Sequence, residues 1–174
     1  MALLSRTDIE TALSRLGELA QARGTPLELL VVGGAAMVLG YDARSSTYDI
    51  DVVILVPAEL AEVRLMAAEI AAELGWPTDW FNDAAKGFLR GRHRGRLLLE
   101  APGIRVYQPP AEQLLAMKLS AWRDDVDIAD ASVLLTVTRA SHSCEEVWKL
   151  VEPYLIPGRE LTARFALEDL WETS

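Results

Sequence analysis

Two aspartates one residue apart, Asp49 and Asp51 in the run Tyr48-Asp49-Ile50-Asp51-Val52-Val53-Ile54, follow a double glycine, Gly33-Gly34, that closes another apolar run at Val31-Val32. Successive side chains on a strand alternate between faces, so Asp49 and Asp51 share one face while Ile50, Val52 and Ile54 share the other. Neighbouring carboxylates repel each other and fit badly on a buried face. A divalent cation between them removes the repulsion, and hard oxygen donors of this kind suit Mg²⁺ (or Mn²⁺). The glycines permit close backbone approach, and a helix beginning there presents free N–H groups to phosphate. The pattern implies a metal-dependent phosphate-transferring site. Each part also has a plainer reading: the glycines as a tight strand-to-helix turn, the aspartates as solvated edge-strand residues, although Ile50, Val52, Val53 and Ile54 speak against an edge.

These residues need two strands and a helix to position them. The spacing predicts strands over residues 27–32 and 48–55, with a short helix over 35–39 between them. Ahead lies a helix with a Thr7-to-Glu10 capping box and Ile9, Leu13, Leu16 and Leu19 on one face, ended by Gly24. Pro57 opens a helix over 58–74 that stops at Gly75, and 76–89 reads as a loop carrying a short helix. Two strands, 96–99 and 104–107, meet at Pro102-Gly103. Beyond Pro109-Pro110 the pattern is helical: 111–122, 125–135, 144–154 behind a Ser143-to-Glu146 capping box, and 161–171. The expected fold class is α/β, a short mixed sheet flanked by helices (residues 1–109) followed by a helical C-terminal part (110–174) packed on it.

A length of 174 residues suits one domain with a real core, or one domain and a small helical appendage. No apolar run reaches the ~20 residues of a membrane span, the N-terminus lacks the order of a secretory signal, and Cys144 is the lone cysteine, so a cytoplasmic protein is expected. A net charge of −9 argues against broad nucleic-acid binding. A local basic patch runs against it: Arg90, Arg92, His93, Arg94 and Arg96, with Gly91 and Gly95 marking a turn between strand-like pieces. It reads either as a solvated hairpin tip or as a phosphate- or RNA-contacting loop. His93 and His142 lie far apart without cysteines, which disfavours zinc, and no Walker A lysine loop or Gly-x-Gly-x-x-Gly is present.

A hydrophobic strand, Gly33-Gly34, a short helix and Asp49-Ile50-Asp51 together resemble the polymerase-β-like nucleotidyltransferase superfamily. The gap of fourteen residues between glycines and first aspartate is slightly long for it. Arg44-Ser45-Ser46-Thr47 resembles the lead-in of a small bacterial branch related to the nucleotidyltransferases of abortive-infection and type IV toxin–antitoxin systems. Lys118, Arg123, Asp124 and Asp127 match that branch's helical block, and Asn82-Asp83 resembles a further motif of it.

The resemblance implies transfer of a nucleoside monophosphate from a nucleoside triphosphate to an acceptor, RNA (tRNA in a toxin–antitoxin or phage-defence setting) or protein. Asp49 and Asp51 would be catalytic and hold Mg²⁺ or Mn²⁺, with Glu100 on a neighbouring strand as a third carboxylate. Gly33, Gly34, Arg44, Ser45, Ser46, Thr47, Asn82, Lys118, Arg123 and Asp127 would line the nucleotide. Arg90, Arg92, Arg94 and Arg96 would meet an RNA acceptor. A cognate partner protein is also expected, and no membrane. Lys118 or Arg123 paired with Asp127 as a structural salt bridge, and Asn82 as an ordinary loop hydrogen-bonder, are the local alternatives. The alternative function is a catalytically silent nucleotide-binding or regulatory module of the same fold.

Overall fold

The computed structural model of the chain describes residues 3–56, 60–122 and 125–173. They divide into two units, Met1–Lys86 with Arg94–Pro109 and Gly87–His93 with Pro110–Ser174. The first unit carries, in chain order, β1 (Leu4–Ser5), α1 (Arg6–Ala22), β2 (Leu27–Val31), α2 (Gly33–Tyr41), β3 (Ser46–Thr47), β4 (Ile50–Val56), α3 (Leu60–Leu74), β5 (Phe81–Asn82), β6 (Leu97–Ala101) and β7 (Ile104–Tyr107). The second carries α4 (Ala111–Ala121), α5 (Asp125–Thr138), α6 (Cys144–Val151) and α7 (Glu160–Thr173).

Five strands form one mixed sheet in the order β5-β4-β2-β7-β6, with β4 antiparallel and β7 parallel to β2. β4 is flanked on both sides, so the aspartates are not on an edge. Leu27, Leu29, Ile50, Val52, Ile104 and Val106 are buried from the sheet, as are Ile9, Leu13 and Leu16 of α1 and Val63, Met66 and Ile70 of α3. Each such aliphatic side chain contributes roughly 1.5–3 kcal/mol by leaving water. α1 crosses the β6–β7 hairpin so closely that a Cβ on Gly17 would overlap the Pro102 carbonyl and Ile104.

The helix predicted over 35–39 spans Gly33–Tyr41, taking the glycines into its first turn, and it takes up the first half of the fourteen-residue gap, with β3 in the second half. Arg6 of α1 fastens its far end, donating to the carbonyls of Val38 at 2.6 Å and Leu39 at 3.1 Å. A cation at carbonyls left over by the last turn also suits the helix dipole. β5 was not foreseen, since two residues carry no periodicity. The expected start of α3 at Pro57 and Ala58 lies outside the described residues.

The arginine segment is not a hairpin tip. β5 and β6, the strands on either side of it, are the two opposite edges of the sheet, and residues 92–96 adopt no regular structure. Gly87–His93 belongs to the second unit instead. There the Gln113 side-chain amide donates to the carbonyls of Arg90 at 2.9 Å and Gly91 at 3.2 Å, and Arg90 donates to the Leu155 carbonyl at 3.2 Å. No helix among the described residues is long and apolar enough to cross a membrane.

The capping box of α1 is built on Ser5 and Asp8, not on Thr7 and Glu10. The Ser5↔Ser46 pairing of β1 with β3 keeps Ser5 extended, so the helix starts at Arg6 and Thr7 already lies in its first turn. Hydrogen bonds from the Ser5 hydroxyl, then from its backbone N–H, hold the Asp8 carboxyl below its ordinary 3.8. A carboxyl depressed in the folded state stabilises above its unfolded value, and that contribution disappears as pH falls through the folded value. Ser5→Ala is therefore expected to lower stability by about 1 kcal/mol at neutral pH. In urea titrations the difference from wild type should shrink as pH is taken below 3.8.

Candidate active site

Antiparallel pairing decides where the chemistry-bearing residues meet. β2 runs out at Val31, which pairs with Val52 near the start of β4, and the Val32 N–H donates to the Asp51 carbonyl at 2.9 Å. The chain turns at Gly33, with φ at +59°, and enters α2 with no side chain capping it. A Cβ on Gly33 would stand 2.9 Å from Asp51 Oδ2. A Cβ on Gly34 would overlap the Thr47 hydroxyl and lie 3.2 Å from Arg44 Nη1. A carboxylate, a hydroxyl and a guanidinium are thus packed directly against the glycine backbone at the start of a helix, where N–H groups and the dipole favour an anion.

Asp49 and Asp51 are half-buried on either side of the fully buried Ile50. On the far side of β4 the parallel strand β5 pairs Ile50 with Phe81 and Asp51 with Asn82. Asn82 Nδ2 donates to Asp49 Oδ2 at 2.8 Å. Next to it, the Lys86 ammonium donates to Asp83 at 2.6 Å and, helped by Arg64 at 3.4 Å, holds that carboxyl below its ordinary range against the opposing effect of burial. Of the hydroxyls in the lead-in, Thr47 is buried, Ser46 half-buried in β3 and Ser45 exposed. The structure therefore brings Gly33, Gly34, Arg44, Thr47, Asp49, Asp51 and Asn82 into one cluster.

Glu100 does not join it. β2 and β7 separate β4 from β6, and the register Glu100↔Arg105, Arg105↔Glu28, Glu28↔Val56 puts Glu100 level with the opposite end of β4 from Asp51. At strand spacings of about 4.8 Å and rises of about 3.3 Å, that is roughly 20 Å away. Glu100 instead accepts from Arg105 at 3.0 Å. The carboxylate was expected on a neighbouring strand, but the neighbours of β4 are β2 and β5, and β5 supplies Asn82.

In the second unit Lys118 is an ion-pair partner. Its ammonium lies 2.7 Å from Asp127 and 2.7 Å from Asp130, with the three side chains only 13%, 5% and 2% exposed. Asp130 was overlooked in the sequence, although its i+3 spacing from Asp127 on a helix was the available signal. Arg123 and Asp124 lie outside the described residues. Of the expected RNA-contacting arginines, Arg90 donates to the Leu155 carbonyl; Arg94 pairs with Glu28 and lies over Tyr107; Arg96 donates to the Gly40 carbonyl. Arg92 is exposed.

Among the described residues no group of three or more His, Cys, Asp and Glu side chains is arranged to hold a metal ion. The donor chemistry of Asp49 and Asp51 nevertheless fits Mg²⁺, which usually takes one or two protein carboxylates and completes its shell with water and substrate phosphate.

A family model described as "Nucleotidyltransferase of unknown function (DUF6036)" matches residues 11–142, a span that contains both Gly33-Gly34 with Asp49 and Asp51 and the Lys118–Asp127 pair. No curated protein and no solved structure matches the chain.

Two substitutions test the geometry in the full chain by urea denaturation. Gly34→Ala must push aside Thr47 and Arg44 and is expected to cost about 1–3 kcal/mol. Lys118→Ala takes the ammonium away from two buried carboxylates and is expected to cost about 3–5 kcal/mol. A loss within 0.5 kcal/mol of zero, roughly what surface substitutions give, would mean that the ammonium is not needed there.

Proposed function

Because the chain belongs to a family of nucleotidyltransferases of unknown function, we propose that it moves a nucleoside monophosphate from a nucleoside triphosphate to an acceptor, RNA or protein, with a divalent cation at Asp49 and Asp51. The observation that carries the reading is the Asp51 carboxylate packed on Gly33 at the uncapped start of α2. A triphosphate needs N–H donors and positive charge for its tail and a cation beside its reacting phosphate; the Gly33-Gly34 turn with Arg44 and the aspartate pair supply these in adjacent positions. Mg²⁺ or Mn²⁺ bound there would neutralise charge on the phosphate oxygens and align the attacking and leaving groups. The acceptor hydroxyl gives up its proton to water as its oxygen bonds to the α-phosphorus, the bond from that phosphorus to the α,β-bridging oxygen breaks, and pyrophosphate leaves. Thr47, buried in β3, stands against Gly34 so closely that a side chain there would collide with it. Within the resemblance to toxin–antitoxin and phage-defence relatives, tRNA is the acceptor to try first, with Arg92 as its contact.

A second reading, nucleotide binding without turnover in a regulatory module, is favoured by one observation: Asn82, an amide, is the β5 residue paired with Asp51.

Incubation with Mg²⁺ or Mn²⁺, each α-³²P-labelled nucleoside triphosphate in turn and total RNA separates the two. Label transferred to RNA or protein by wild type and lost in the Asp49→Ala/Asp51→Ala double variant is the expected result. Nucleotide binding by calorimetry with no transferred label would establish the regulatory reading instead.

A further inference from the structure

We propose that Asn82 is a positioning residue for Asp49 and does not touch the nucleotide, an inference that rests on the cation-binding reading of Asp49 and Asp51. Its amide is committed on every side that the contacts describe. Oδ1 accepts from the Ala84 backbone N–H at 2.9 Å, which fixes the amide orientation and leaves Nδ2 pointing the other way. Nδ2 has two protons; one goes to Asp49 Oδ2 at 2.8 Å and the other faces the Asp79 carbonyl at 3.4 Å. A side-chain amide has no further donor to offer a phosphate or a base.

The mount behind Asn82 is rigid. Trp80, two residues earlier, is fully buried, and its indole N–H donates to the Ala67 carbonyl of α3 at 2.9 Å. The Trp80 carbonyl accepts from the Ile50 N–H at 2.7 Å, and Phe81 is buried against the indole with ring centroids 5.5 Å apart. The two-residue strand that ends in Asn82 is therefore anchored in the core by Trp80 and Phe81, immediately before the residue that meets Asp49. A donor fixed on Oδ2 sets the rotation of the Asp49 carboxylate, which would hold it ready to receive a cation. Hydrogen bonds of this outer kind orient ligands and typically change metal affinity 10- to 100-fold when removed.

The test is Mn²⁺ binding to the full chain without nucleotide, followed by the EPR signal of free Mn²⁺, for wild type, Asn82→Ala and Asn82→Ser, with thermal unfolding of each. Serine can still accept from the Ala84 N–H but is too short to reach Asp49, so it keeps the turn and loses only the positioning bond. The expected result is Mn²⁺ affinity weakened by about 10-fold or more in both variants, with the unfolding midpoint of the serine variant close to that of wild type. Wild-type affinity in the folded serine variant would overturn the inference while leaving the cation reading intact. If binding of nucleoside triphosphate in EDTA weakened while Mn²⁺ affinity held, Asn82 would be a nucleotide contact after all. No Mn²⁺ binding by wild type would overturn the inference and the cation reading together.

Discussion

The antiparallel pairing of β2 with β4 is the constraint from which the candidate site follows. In an antiparallel pair the end of one strand lies beside the start of the other, so Val31 faces Val52 and the Val32 N–H meets the Asp51 carbonyl. Whatever the chain does between the two strands, the glycine turn and the aspartates must then be neighbours. The intervening residues only have to leave and return, and α2, fastened by Arg6 at its far end, does so while aiming its N-terminus at the carboxylates. A parallel arrangement would have put the aspartates at the other end of the sheet.

Electrostatics explains how two carboxylates can share that place in a folded chain. Asp51 lies against the start of α2, where the helix dipole favours negative charge, and Asp49 accepts from the Asn82 amide. The second unit meets a similar difficulty by another route. Asp127 and Asp130 are almost wholly buried and converge on the Lys118 ammonium, which joins α4 to α5. Both arrangements place negative charge away from water only where fixed donors wait for it. They differ in what they leave open: the lysine is closed in by its aspartates, whereas the strand aspartates are half-buried.

The strands and helices long enough to show a period were legible in the sequence. The apolar runs gave β2 and β4, and the Ser143–Glu146 box marks the start of α6 as expected. Gly33-Gly34 with Asp49 and Asp51 was legible too, because residue type and spacing alone imply strand, turn and strand. What escaped was set by tertiary pairing. The Ser5 cap depends on β1 meeting β3, and no local pattern could choose it over Thr7. Glu100 closes a convincing strand, yet strand order, which periodicity does not encode, carries it away from Asp51. The arginine cluster looked like a single patch because the residues are close in sequence. In the structure Arg90, Arg94 and Arg96 each serve a different local bond.

Strand order also decides what kind of residue can complete the site. Once β4 lies between β2 and β5, a side chain on Asp51's face from a neighbouring strand has to come from the last residues of β2 or from β5. The end of β2 is occupied by the turn into Gly33, where backbone must approach closely and a side chain would collide with Asp51. That leaves β5, two residues long and anchored by Trp80 and Phe81. Its second residue is the half-buried Asn82, whose neutral amide relieves the repulsion between the aspartates where another carboxylate would add to it. The site is in this sense built for two carboxylates: backbone with the Arg44 guanidinium beside it on one side, an amide on the other.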